Sequence, residues 1–146
     1  MNRGRVIHLA TSDNRGVPKI AVNRIELLPN WGVKGDAHAG EWDRQVSLLE
    51  VERLEELEKK GIDVQPDHLA ANILVKGADL SKVRSGDELR IGNARIRVSQ
   101  IGKFYPPGSP WHKEVLSRFG IFGKVVVGGE VKVDDPVILI VEQRAK

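Results

Sequence analysis

The 146-residue sequence predicts a mostly β chain with a few helices, its strands wrapped into a closed or partly closed barrel. Short runs rich in Val, Ile and Leu recur along it, separated by turn chemistry such as "SDNRG", "GGE" and "DDP". Only two segments have helical spacing or helical caps. No repeat, low-complexity tract or Pro/Ser linker interrupts the chain, so residues 1–146 read as one unit, and 40% hydrophobic content suffices for a core.

In chain order, Arg5 to Thr11 reads as the first strand, and "SDNRG" turns it into an extended run from Ala21 to Leu28. "QVSLL" is the third strand. Glu50 to Lys60, "EVERLEELEKK", predicts a helix: Val51, Leu54 and Leu57 recur at helical spacing, acids come early, lysines late, and Gly61 suits the C-terminal cap. Asn72 to Val75 is a short strand. The turn-rich "SKVRSGDEL" then leads into a hairpin, "LRIG", Asn93 and "ARIRVSQI", whose alternation slips phase near Gln100. Ser109 and Pro110 suit an N-cap and first helical position for a second helix to about Arg118. "KVVV", "VKV" and "VILIVE" close the chain as strands around the two last turns.

Composition removes several function classes. Met1 is followed by polar "NRGR", and apolar runs are short, so no signal peptide or membrane span is expected and the protein reads as cytoplasmic. A net charge of +3 permits an anionic ligand, but without a basic-aromatic stripe it argues against nucleic acid. The cysteine count is zero, which excludes disulfides, thiolate metal sites and a persulfide carried on this chain.

Polar groups cluster in "VKGDAHAGEWDRQVSLLE", Val33 to Glu50, immediately before an apolar run. In an extended segment Asp36 and His38 share a face, where they suit a shared metal ion or a ring held in one tautomer; equally, each satisfies its own loop. Only four histidines exist and none has a second His at helical ligand spacing, so no metal site is expected. Arg44 and Gln45 stand where a loop enters a strand, a position from which a guanidinium grips phosphate or carboxylate, although a surface arginine is the commoner case. "GVPK" presents Lys19 from a stiff turn, and Asn72 precedes a buried strand, able to read a heterocycle edge or to cap a turn. "GKFYPPGSPW" gathers Phe104, Tyr105 and Trp111, suited to ring stacking, to plugging a barrel mouth or to a contact with a second subunit.

"GVPK", "GVKGDAHAGEWDRQVSLL", "AANILVKGADLSKVRSGDELRIGNARIRVSQIGK" and "GIFGKVVVGGEVKVDDPV", in that order, resemble MOSC domains, named after the C-terminal domain of molybdenum cofactor sulfurases. The resemblance runs from about Gly16 to Val137. It implies a MOSC-type β-barrel and binding of the molybdenum cofactor (molybdopterin) or a related phosphorylated pterin, for metal-sulfur cofactor assembly or handling. Carried over, the cofactor pocket falls on Lys19, Asp36, His38, Arg44, Gln45, Asn72, Lys103 and Tyr105, with Lys and Arg facing the phosphate and Gln45 and Asn72 the pterin edges. Relatives usually carry a cysteine shortly after the "GK" that closes the long hairpin strand. Here that position falls near Tyr105, and the residue before Arg44, often His in relatives, is Asp43. A phenol forms no persulfide. The implied alternatives are a molybdenum-dependent oxidoreductase with a replaced metal ligand, its catalytic residues unassigned, or a non-catalytic module that docks a molybdoenzyme or a second copy of itself.

Overall fold

The computed structural model describes residues 3–15, 19–64, 70–102, 115–116 and 118–140. Eleven strands and the helix α1 lie wholly within them: β1 (Arg3–Thr11), β2 (Ile20–Val22), β3 (Arg24–Leu28), β4 (Gly32–Val33), β5 (Val46–Glu50), α1 (Val51–Lys59), β6 (Ile73–Lys76), β7 (Glu88–Ile91), β8 (Ala94–Ile101), β9 (Ile121–Val127), β10 (Gly129–Lys132) and β11 (Pro136–Ile140). The strands pair in the cyclic order β1-β6-β5-β9-β8-β7-β11, and β11 returns to β1, so seven of them form a closed barrel. Closure leaves these strands no open edge. β2 is an extra strand on β1, and β10, β3 and β4 form a separate small sheet.

The barrel is filled by alternate side chains pointing inward, among them Val6, Leu48, Ile73, Leu89, Ile96 and Val137. The small sheet adds Ile25, Leu27, Val33 and Val131 to the same core. β5 and β6 are parallel, and α1 is the crossover between them. Their outer faces are covered as well: Leu49 and Leu74 join Leu54 and Leu57 of α1, Val115, Leu116 and Phe122 in a second apolar cluster. Burial on both faces explains why "VSLL" and "ILV" read as continuous apolar runs.

The barrel, the α1 helix and the β7–β8 hairpin follow the sequence expectation. The phase slip near Gln100 is a register shift between Val98 and Gln100, after which Ile101 is exposed. Three details differ. The Ala21–Leu28 run breaks at Asn23, because β2 pairs with β1 while β3 pairs with β10 and β4. β9 begins at Ile121, three residues before "KVVV". The "GGE" turn is a change of sheet, with β9 in the barrel and β10 on β3. Of the expected Ser109–Arg118 helix, residues 115–116 and 118 are helical, as is residue 119, and the rest lies outside the described residues. Among the described residues no helix is long and apolar enough to cross a membrane.

Candidate functional site

The loop from Lys34 to Arg44 runs from β4 to β5 and is held by its own polar groups. Asp36 anchors it: Oδ1 accepts the Ser12 amide (2.9 Å) and the Lys19 ammonium (2.8 Å), and Oδ2 accepts the His38 amide (3.0 Å). Both members of the Lys19–Asp36 ion pair are buried, with side chains 2% and 0% exposed. Burial alone would raise the Asp36 carboxyl, but the nearby His38, the hydrogen bonds from Lys19 and the Ser12 amide, and the Lys19 charge outweigh it and hold the group well below the carboxylate range. The Lys19 Nζ also lies 3.4 Å from Ser12 Oγ and 3.3 Å from His38 Nδ1. Its charge is thus already compensated from within.

Trp42 folds back over the loop and donates its indole N–H to the His38 carbonyl (2.8 Å). The Arg44 guanidinium lies 4.5 Å from the centre of the Trp42 ring and that of Arg15 lies 5.2 Å from it, so one indole carries two cations. Arg15 also donates to the Ala37 carbonyl (3.4 Å). Arg44 has no carboxylate partner among the described residues. Asp43, beside it, is exposed, and its backbone carbonyl accepts the Ser99 hydroxyl.

Asn72, almost fully buried, is a brace. Its Oδ1 accepts both the amide (3.1 Å) and the hydroxyl (3.2 Å) of Ser47, its backbone N–H donates to Ser47 Oγ (3.0 Å), and its Nδ2 donates to the Ala10 carbonyl (3.1 Å). One side chain therefore ties β5 and β1 together at the residue before β6, the strand that lies between them. Gln45, fully buried, is committed elsewhere: Oε1 accepts the Val125 amide (3.0 Å) and Nε2 donates to Asn30 Oδ1 (3.2 Å).

His38, Trp42, Arg44, Ser47, Ala70, Asn72, Leu116 and Phe122 enclose a cleft of about 50 Å³. Of the residues expected from sequence, His38, Arg44 and Asn72 line it. Lys19 and Asp36 stand directly behind His38, and Gln45 faces the strands instead. Lys103, Tyr105 and the Phe104–Trp111 loop lie outside the described residues, as does most of "GVPK". Trp42, Ser47, Leu116 and Phe122 were not anticipated. Trp42 had a signal, standing two residues before Arg44, but Leu116 and Phe122 are brought in by tertiary packing alone.

The donor set decides what this cleft accepts. Ser47 Oγ both donates to and accepts from Asn72, and Asn72 Oδ1 already takes two donors. The charged residue left at the wall is Arg44, with His38 also lining the cleft and an apolar side made by Ala70, Leu116 and Phe122. That combination fits an anionic group attached to an apolar or aromatic body. A larger hollow of about 300 Å³ beside α1 has the opposite character, being lined by Glu50, Glu52, Glu56 and Asp79 with Arg53. There burial, with Glu52 and Asp79 nearby, raises the Glu50 carboxyl above its ordinary value. Among the described residues no three His, Asp or Glu side chains converge to hold a metal ion.

Residues 35–101 match the family model of the MOSC domain. No curated protein matches the chain. In fold, the chain is similar to the YuaD protein from Bacillus subtilis, at 20% identity and a TM-score of 0.77, with 97% of each chain covered. It is similar also to YiiM from Geobacillus stearothermophilus (15%, TM-score 0.68, 97% of this chain and 76% of that one) and to YiiM from Escherichia coli (24%, TM-score 0.60, 97% and 71%). The matched stretch holds the loop from Gly35 to Arg44 and the Asn72 brace, and the barrel is MOSC-type.

Proposed function

We propose that this MOSC-type domain binds a phosphorylated pterin of the molybdenum cofactor class, holding its anionic group with Arg44 and His38. The observation that carries this reading is the cleft itself, where a guanidinium without a carboxylate partner among the described residues adjoins an apolar wall. The cleft encloses far less volume than a whole pterin needs, so within the described residues it serves the anionic end. Lys19 and Asp36 act from behind by fixing the loop, and Asn72 and Gln45 by fixing the strands, rather than by touching the ligand.

When bound, the cofactor supplies two-electron chemistry at molybdenum; the chain's own residues bind and orient it. With no cysteine the chain carries no persulfide, so the role that remains is to hold or hand over the cofactor during metal-sulfur cofactor assembly. Such a role implies a molybdoenzyme as recipient and a cytoplasmic setting.

The test is pterin content. Protein purified under cofactor-replete conditions is expected to release a fluorescent pterin on oxidation. Arg44→Ala removes charge-assisted hydrogen bonds worth about 1.5–3 kcal/mol and should weaken retention roughly tenfold or more, with thermal stability little changed. Protein that neither carries nor takes up pterin under those conditions overturns the reading.

A further inference from the structure

An ammonium has three N–H donors and no acceptor. At Lys19 they face Asp36 Oδ1 (2.8 Å), Ser12 Oγ (3.4 Å) and His38 Nδ1 (3.3 Å). A ring nitrogen that faces a donor-only group offers its lone pair, so the proton belongs on the other nitrogen. Asp36 is the weaker competitor for it: Oδ2 lies 3.7 Å from Nδ1, farther than the ammonium at 3.3 Å, and already accepts the His38 backbone amide at 3.0 Å. An N–H at Nδ1 would direct its hydrogen at a cation.

We propose that Lys19 is a positioning residue that holds His38 in the tautomer with its proton on Nε2, so that the ring offers the cleft a hydrogen-bond donor. This inverts the common carboxylate–histidine arrangement, in which the acid takes the Nδ1 proton and frees Nε2 to act as a base or metal ligand. Here Asp36 is adjacent but bonds the Lys19 ammonium and two backbone amides, and the ammonium reaches the ring. Nε2–H in a cleft that Arg44 also lines selects groups that only accept hydrogen bonds: oxyanions such as phosphate or molybdate. The tautomer is argued from the Lys19 contact and does not depend on the ligand, whereas the selection of oxyanions rests on the anion-binding cleft proposed above.

Long-range ¹H–¹⁵N correlation of the labelled full chain at neutral pH reads the tautomer directly, with His38→Gln assigning the signal among the four histidines. The expected pattern is an unprotonated Nδ1 and a protonated Nε2. A proton on Nδ1, alone or with Nε2, overturns the proposal, and this readout needs no variant to fold. In Lys19→Met/Asp36→Asn, which removes the ion pair as a unit and keeps an acceptor at position 36, a mixture of tautomers is expected; an unchanged pattern in the folded variant shows that Lys19 is not the determinant. Titration with inorganic phosphate, then molybdate, should move the Nε2–H resonance, and Arg44→Ala should abolish the movement. A resonance indifferent to both anions overturns the donor role. An intact response in protein that carries no pterin leaves this inference standing and removes only the cofactor reading.

Discussion

At the scale of single residues, the buried charge at Asp36 makes stability depend on pH with a definite sign. Its folded-state pKa lies below the ordinary 3.8, so the contribution is full above about pH 5. As pH falls through 3.8 the unfolded chain takes up the proton while the folded one does not, and the contribution is gone once pH reaches the folded value. Urea unfolding between pH 5 and 2 should therefore show a loss that approaches about 1.4 kcal/mol per pH unit from this group, absent in Asp36→Asn. Lys19→Met alone should cost about 3–5 kcal/mol at neutral pH, since it leaves a buried carboxylate unpaired. Asn72→Ala should cost roughly 2–3 kcal/mol, by stripping buried donors of Ser47 and a buried acceptor at Ala10 of their partner, and would be read as a lower urea midpoint. The sequence grouped His38 with Asp36 and Arg44 with Gln45; that His38 and Arg44 line one cleft comes from the fold and not from their spacing. Nor was the inward turn of Lys19 legible, since its partner lies seventeen residues away on another loop.

Among elements, those with a repeating pattern were legible and those defined by tertiary pairing were not. The spacing of Leu54 and Leu57 marks α1, and alternation marks β8 down to its register shift. Nothing local shows that Asn23 divides two sheets, or that two residues at Gly32 and Val33 form a strand, because both follow from what lies across the gap. Gly32 illustrates the point. Its φ is +124°, and a Cβ there would collide with the Gln45 carbonyl, so β4 can lie this close to the start of β5 only with a residue that has no side chain. Gly32→Ala should destabilise by at least about 2 kcal/mol and raise amide exchange at Val125, whose N–H is bound by the Gln45 side chain. A differential scanning trace with an unchanged midpoint would contradict this.

For the whole molecule, the barrel depends on a short seam. β1 and β11 are joined at three register pairs, Arg3 with Ile138, Gly4 with Val137 and Arg5 with Pro136. Proline has no N–H to give, and the closure is continued by Val6 donating to the Asp135 carbonyl (2.9 Å) and Asp134 to that of Val6 (2.8 Å). Gly4 admits the backbone of Lys76 to Ala78 so closely that a Cβ would clash with it. Gly4→Val is therefore expected to push β1 off the end of β6, seen as faster hydrogen exchange in β1 and β6 than in β8 and β9; uniform exchange across all four would refute it. That a barrel would form was legible from strand number and turn spacing, but which two strands close it was not.

The same seam has a consequence for connectivity. β11 runs antiparallel to β1 with Ile138 opposite Arg3, so a turn joining the chain beyond these two residues would make the pair a hairpin. Supplying that turn as a short glycine-rich linker and cutting the backbone between Gly92 and Asn93 would give a circularly permuted chain. It should assemble the same cylinder, because the order in which the staves are threaded differs while every neighbour stays the same.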